Sequence, residues 1–182
     1  MPEHPPSSLL VEHRLVLRWP ELADAEMIAA TVGESLEHLA AWMPWATAQS
    51  ADVEQQRKRQ TERLAQTTAG TDYMYLILGA RSGRLLGACG LHRRIDPDTA
   101  EIGYWLHPDY VGHGYITHAA AAITEAALDL PDVQRVEIHC DEANLKSQAV
   151  ARRLGFRLDR IEIDGIQAPK EVGRSMIWVF PA

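Results

Sequence analysis

Apolar and polar positions along the chain follow two periods, and the switches between them mark out the elements. From Leu9 to Leu17 the residues Leu15 and Leu17 alternate with Arg14, Val16 and Arg18, which predicts a strand that Pro20 ends. Leu22, Ala25, Met27 and Ile28 predict a helix over 21–30, with acidic residues near its start where the helix dipole favours them. Leu36, Leu39 and Ala40 carry helical spacing through 32–46 until Trp42-Met43-Pro44-Trp45 interrupts it, because proline lacks the N–H that a helix interior needs. That corner either closes the core with its rings or lines a cleft. Residues 52–66 read as a polar helix and 67–72 as a turn.

From Tyr73 the period is that of strands. Residues 73–80 and 84–92 flank the turn Arg81-Ser82-Gly83, and Asp96-Pro97-Asp98 turns the chain into 99–106, giving a three-strand meander. An alanine-rich run from His118 to Leu128 predicts a helix, and Pro131-Asp132 turns into a short strand at 135–140. Reached by a helical crossover, that strand is expected parallel to 99–106. A helix over 145–154 capped by Gly155, a strand at 156–163 and a last strand at 175–180 complete the pattern. The sum is an α/β domain spanning 1–182, with a mixed, mostly antiparallel sheet and a flexible tail at 1–8.

The junction Ala100–Thr117, AEIGYWLHPDYVGHGYIT, holds the most specific chemistry. A strand stops at Pro108, crosses a Gly-x-Gly loop and restarts as a helix, which leaves several backbone N–H groups aimed at one point. Such a point suits a phosphate, and it is equally the form of a tight turn. Gly112 and Gly114 take positive φ without penalty and let a ligand approach the main chain.

Composition narrows the classes. A formal net charge of -7 disfavours a nucleic-acid binder, and the locally basic run Gln55–Arg59 reads as a solvated helix face. Cys89 and Cys140, far apart in apolar runs, suit buried thiols in a reducing compartment. A start without a basic end or a signal-length apolar core, and no run of membrane-spanning length, point to the cytoplasm and to no membrane partner. The histidines show no HExxH or CxxC spacing, so no metal is expected. His139 and Asp141 share a strand face and could orient a base.

The succession AEIGYWL, YVGHGYIT and NLKSQAVARRLGF resembles the GNAT superfamily of acetyl-CoA-dependent N-acetyltransferases. The Trp-Met-Pro-Trp corner and Asn-x-x-Ser resemble its RimJ- and RimL-like branch, which acetylates protein N-terminal amines. The resemblance implies the GNAT fold, with a sheet splayed between two parallel strands and flanked by helices. It places the cofactor's pyrophosphate on Val111, Gly112, His113, Gly114, Tyr115, Ile116 and Thr117, with Val111 standing where the motif has Gln or Arg and Ile116 where it has Gly or Ala. It implies that Glu101 acts as base, that the N–H groups of Trp105 and Leu106 face the thioester carbonyl, that Ser147 presents its hydroxyl to the cofactor sulfur, and that Asn144, by position an N-cap of the helix that follows, also contacts the cofactor. Ala151 occupies the position where many members carry a tyrosine. Trp42, Trp45 and Glu101 are expected to meet the amine. The acceptor is a protein N-terminus, ribosomal or other, or a small amine such as an antibiotic, a peptide or a polyamine. A homodimer is compatible with the family, and a catalytically weak acyl-CoA-binding module remains the alternative.

Overall fold

A computed structural model describes residues 3–181. Of the tail expected at 1–8, Met1 and Pro2 lie outside the described residues. The rest is tied down: His4 Nδ1 lies 2.8 Å from the Tyr73 hydroxyl, the Tyr75 hydroxyl donates to Pro6 O at 2.6 Å, and Trp19 N–H donates to Ser7 O at 3.0 Å. The strand expected over 9–17 is in fact a hairpin, β1 (Ser8–Val11) and β2 (Leu15–Arg18). Its turn places Glu12 and His13 at positive φ, 48° and 54°, a conformation that side-chain bias does not announce.

A short 3-10 turn at Leu22–Asp24 leads into α1 (Ala25–Glu34), and Arg18 clamps Asp24 through two hydrogen bonds of 2.7 Å. The short α2 (Leu36–Ala40) stops just before the Trp42–Trp45 corner. Asp52 caps α3 (Val53–Thr68) by accepting from Gln55 N–H, and this polar helix packs inward through the buried amides of Gln56 and Gln60. The meander follows as β3 (Asp72–Gly79), β4 (Leu85–His92) and β5 (Thr99–Leu106), then α4 (Tyr115–Leu128), β6 (Arg135–Asp141), α5 (Leu145–Arg153), β7 (Arg157–Ile163) and β8 (Arg174–Pro181).

All eight strands form one sheet in the order β1-β2-β3-β4-β5-β6-β8-β7, with β5 and β6 its parallel pair. Alternation along the strands divides the core. Leu15, Leu17, Tyr73, Tyr75, Ile77, Ile102 and Ile138 face Ala119, Ala120, Ile123 and Ala151 of α4 and α5, whereas Leu76, Leu78 and Leu85 face Ile28 and Val32 of α1. Small residues on α4 let that helix lie close to the sheet, which brings its N-terminus to the end of β5. The parallel pairing is short. It covers Thr99–Glu101 against Arg135–Glu137 only, although β5 continues to Leu106 and β6 to Asp141, so the two strands part beyond Glu101.

Candidate active site

The loop between β5 and α4 is built to expose main-chain donors. His107, buried at the end of β5, accepts Asp109 N–H through Nδ1 at 3.2 Å and starts a 3-10 turn over Pro108–Tyr110. Gly112 and Gly114 have φ of 87° and 79°, so both need glycine for conformation, and around Gly112 the space is open where a Cβ would stand. Gly114 is the N-cap of α4 and offers no side chain to its first turn. The helix therefore starts at Tyr115, three residues earlier than the alanine run suggests, with its leading N–H groups uncapped. An anion with several oxygens fits this cradle, and the helix dipole reinforces it.

Around the cradle the side chains are aromatic and basic. The Tyr115 ring stacks on His113 at 5.7 Å between centroids, and the Arg14 guanidinium lies 5.2 Å above it. Val111 and Ile116 pack against the main core and do not stand free in the loop, so the branched side chain of Ile116 is directed away from crowding a ligand. Thr117 lies in the first turn of α4, half-buried.

Beyond Glu101 the parting strands leave unpaired main chain. His107 N–H donates to Leu86 O at 2.8 Å across β4, and in an antiparallel ladder alternate N–H groups face the same neighbour. Leu106 N–H consequently faces the opened side, whereas Trp105 N–H turns toward β4. The pair expected to share one role is divided by this alternation.

Glu101 and Ser147 stand on opposite faces of the sheet. Glu101 is at the last paired position, opposite Glu137, and its carboxylate is held in a fork by Arg94 Nε and Nη2 at 3.1 Å each. Glu137, nearly fully buried, is met by Arg135 at 2.7 Å and by His139 Nε2 at 2.6 Å. Burial alone would raise the Glu137 carboxyl, but these two partners outweigh it and hold the group below its usual range. His139 is thus paired with Glu137, and the expected His139–Asp141 pair does not form. Asp141 instead accepts backbone N–H groups from Ala143, Val172, Gly173 and Arg174.

Ser147 lies in the first turn of α5 on the other face. Its N–H donates to the side chain of Asn144 at 3.1 Å, so Asn144 is the helix cap, and its Oγ is 2.8 Å from the Tyr104 hydroxyl. The Cys140 thiol also touches Ser147; burial pushes this thiol up, and contact with Ser147 and Trp178 offsets part of the rise. Cys89 has no such contact, and burial raises it to about 12.

On the Glu101 face, Trp45 approaches Trp105 with ring centroids 6.3 Å apart and is 38% exposed, and neither it nor the half-buried Trp42 belongs to the buried core. The corner lines the surface beside β5. The residues that spacing did not announce are His38 and Tyr104. Burial, with Lys146, Lys170 and His107 nearby, lowers His38 and keeps its imidazole neutral near pH 7. Tyr104 lies within AEIGYWL, where period-two alternation puts it on the face of Ala100 and Ile102, the side covered by α5.

Residues 14–157 match the family model described as an acetyltransferase (GNAT) domain. YdaF of Bacillus subtilis, a protein named for ribosomal N-acetylation, is 30% identical over 163 residues, covering 86% of this chain and 85% of its own. Among solved structures, the ribosomal L7/L12 alpha-N-protein acetyltransferase RimL in complex with coenzyme A aligns with a TM-score of 0.85 at 23% identity, over 96% of this chain and 97% of that one. The microcin C7 self-immunity acetyltransferase MccE, in complex with acetyl-CoA and AMP, aligns with a TM-score of 0.87 at 22% identity over 99% of both chains. At these identities the two structures speak for the fold.

Proposed function

The chain belongs to the GNAT acetyltransferase family and is an acetyl-CoA-dependent N-acetyltransferase; from that premise we propose that its acceptor is the N-terminal amine of a protein, ribosomal proteins foremost. The relative named for ribosomal N-acetylation supports that acceptor, and the acetyl transfer itself is supported by the meeting of two features: the uncapped, glycine-bounded N-terminus of α4 and the opened end of the β5–β6 pair. Bound there, acetyl-CoA supplies a thioester open to attack by a neutral amine.

The chain's own groups divide the remaining work. Main-chain N–H groups from Gly112 to Thr117 hold the phosphates, with His113 and Tyr115 beside them. Leu106 N–H, turned to the opened side, donates to the carbonyl as charge develops on its oxygen. Glu101 takes the proton that the ammonium must lose, directly or through one water, and Arg94 fixes its carboxylate. Ser147 offers its hydroxyl to the departing sulfur, and Asn144 sets the helix start that presents it. Trp45 and Trp42 wall the amine's approach. The weak-module alternative drew its support from Val111 and Ile116, and both are partly buried and pack against the core. A protein N-terminal acceptor also implies action in the cytoplasm.

The test pairs binding with turnover. Acetyl-CoA is expected to raise the melting temperature by mass action, and Gly114→Glu to abolish the rise by putting a side chain and a negative charge into the cradle. Thiol release should then be fastest with peptides carrying a free N-terminus, slower with the same peptides N-terminally blocked, and slow with polyamines or aminoglycosides. A preference for small amines would overturn the acceptor, and no thermal shift with acetyl-CoA would overturn the cradle.

A further inference from the structure

We infer that Tyr104 is a positioning residue for Ser147: its hydroxyl donates to Ser147 Oγ and so leaves the serine's single proton free for the cofactor sulfur. The inference rests on the role given to Ser147 above. Its own support is geometric.

Tyr104 lies three residues beyond the last paired position of β5 and β6, where the strands have parted. Its side chain is on the face of Ala100 and Ile102, packs against the main core, and reaches across to α5. There its hydroxyl lies 2.8 Å from Ser147 Oγ and 3.4 Å from Ser147 O. Counting protons decides the direction of the shorter bond. A serine hydroxyl has one hydrogen and two acceptor sites, and a phenol has one hydrogen. If Ser147 donated to Tyr104, its hydrogen would be spent inside the protein. The phenol hydrogen would then be left with the Ser147 carbonyl at 3.4 Å, a poor acceptor distance. With Tyr104 as donor, the short bond is made, and the serine hydrogen can turn to a third atom, shared between the Cys140 thiol that also touches Ser147 and the cofactor sulfur.

Two surrounding features suit a fixed donor. Burial holds the Tyr104 phenol above its ordinary range, with the Ser147 contact only partly offsetting it, so the group keeps its hydrogen at every working pH. Asn144 meanwhile anchors the Ser147 main chain through its N–H at 3.1 Å. Cap and phenol together hold the hydroxyl from two sides. Ala151, one turn further along α5, is fully buried and carries no hydroxyl, so the phenol at this helix comes from β5.

In the reaction a C–N bond forms to the acetyl carbon, the C–S bond breaks with its electron pair going to sulfur, and the proton that the nitrogen sheds on becoming an amide passes through water to the thiolate, leaving the amide and the CoA thiol. While it carries that charge, the sulfur accepts a hydrogen bond from Ser147 Oγ, whose developing negative character is met by the Tyr104 O–H. Tyr104 itself exchanges no bond with substrate.

The thiol of bound CoA reports this arrangement without any acceptor amine. Its titration can be followed by thiolate absorbance, with desulfo-CoA-bound protein as the blank that cancels the protein's own tyrosines and cysteines. A hydrogen bond to a charged group is worth about a factor of ten or more, so the bound thiol should titrate about one unit higher in Ser147→Ala and in Tyr104→Phe than in wild type. The double variant should match Ser147→Ala. In turnover, Tyr104→Phe should lower kcat roughly tenfold with an unchanged KM for acetyl-CoA, again with no further loss in the double variant. Replacing Tyr104 with 3-fluorotyrosine keeps the ring in place and strengthens the donor, and should move the titration the opposite way. A Tyr104→Phe protein that titrates as wild type, or losses that multiply in the double variant, would overturn the inference. If Ser147→Ala alone leaves the titration at the wild-type value, the assignment of Ser147 is what fails.

Discussion

Asp141 offers a perturbation whose size can be worked out from its contacts. The residue ends β6, and its two carboxylate oxygens divide their partners: Oδ1 accepts from Ala143 N–H at 2.8 Å, and Oδ2 accepts from Val172, Gly173 and Arg174 N–H at 3.1, 3.0 and 3.2 Å. One charge therefore gathers the entry to α5 and the loop 164–173. That loop in turn donates Lys170 N–H to Ala41 O at 3.0 Å, immediately before the Trp42–Trp45 corner. Asp141→Asn retains one acceptor oxygen. Whichever way the amide is turned, its NH2 faces at least one backbone N–H, and the charge is gone. Hydrogen bonds to a charged group are worth about 1.5–3 kcal/mol each, but Val172 and Arg174 are exposed and water can replace their bonds, so the expected loss is about 2 kcal/mol. For a chain of this length that lowers Tm by about 4–8 °C.

The same contacts fix the pH dependence. Burial would raise the Asp141 carboxyl, but the four N–H donors outweigh it and hold the group below its ordinary value near 4. A depressed carboxylate contributes stability that is present above its unfolded pKa and is lost as pH falls through the folded value. The gap in Tm between wild type and Asp141→Asn should accordingly be full at pH 7 and close on acidification below about 4. Steady-state kinetics completes the assay: the KM for the amine should rise because the loop braces the tryptophan corner, and the KM for acetyl-CoA should stay. An Asp141→Asn protein with the wild-type Tm at pH 7, or a gap that persists into acid, would refute the reasoning.

Trp45→Ala should raise the amine KM by about tenfold, with an acetyl-CoA KM and a Tm near wild type, because the ring is partly exposed and packs on Trp105 outside the core; a large fall in Tm with unchanged specificity would make it a packing residue. Glu101→Gln should keep acetyl-CoA binding and lower kcat by about 100-fold, the loss shrinking as pH rises and more amine is already neutral. A near wild-type kcat across that range would leave Glu101 as the partner of Arg94 and move attention to His38, which burial and its cationic neighbours keep neutral.

By itself the sequence determined the elements whose signals are local. The strand 99–106 is observed with those bounds, because alternation and the flanking Asp-Pro-Asp and His-Pro both act within a few residues. The parallel β6 and the caps Asn144 and Gly155 were legible for the same reason, and so was the glycine loop. Where the deciding contact came from elsewhere, the sequence was silent. A nine-residue apolar pattern at 9–17 could not reveal that two residues, Glu12 and His13, would take positive φ and turn it into a hairpin. Helix α4 begins at Tyr115 because Gly114 takes the left-handed cap conformation, three residues before composition turns alanine-rich.

The site divides along the same line. Which residues lie near the junction could be read from motifs, but their orientation required the sheet. Alternation against β4 turns Leu106 N–H to the opened side and Trp105 N–H away, and it sends Glu101 to the face opposite Tyr104, which meets Ser147 of α5. Arg94 reaches Glu101, Glu137 captures His139, and Tyr104 crosses the parted strands to Ser147. The last of these joins residues 43 apart in the chain, and even the choice of His139 between its strand neighbours Glu137 and Asp141 follows from what else packs against each of them. Such contacts are fixed only when register, twist and packing are fixed together, which is why the tertiary structure alone decided them.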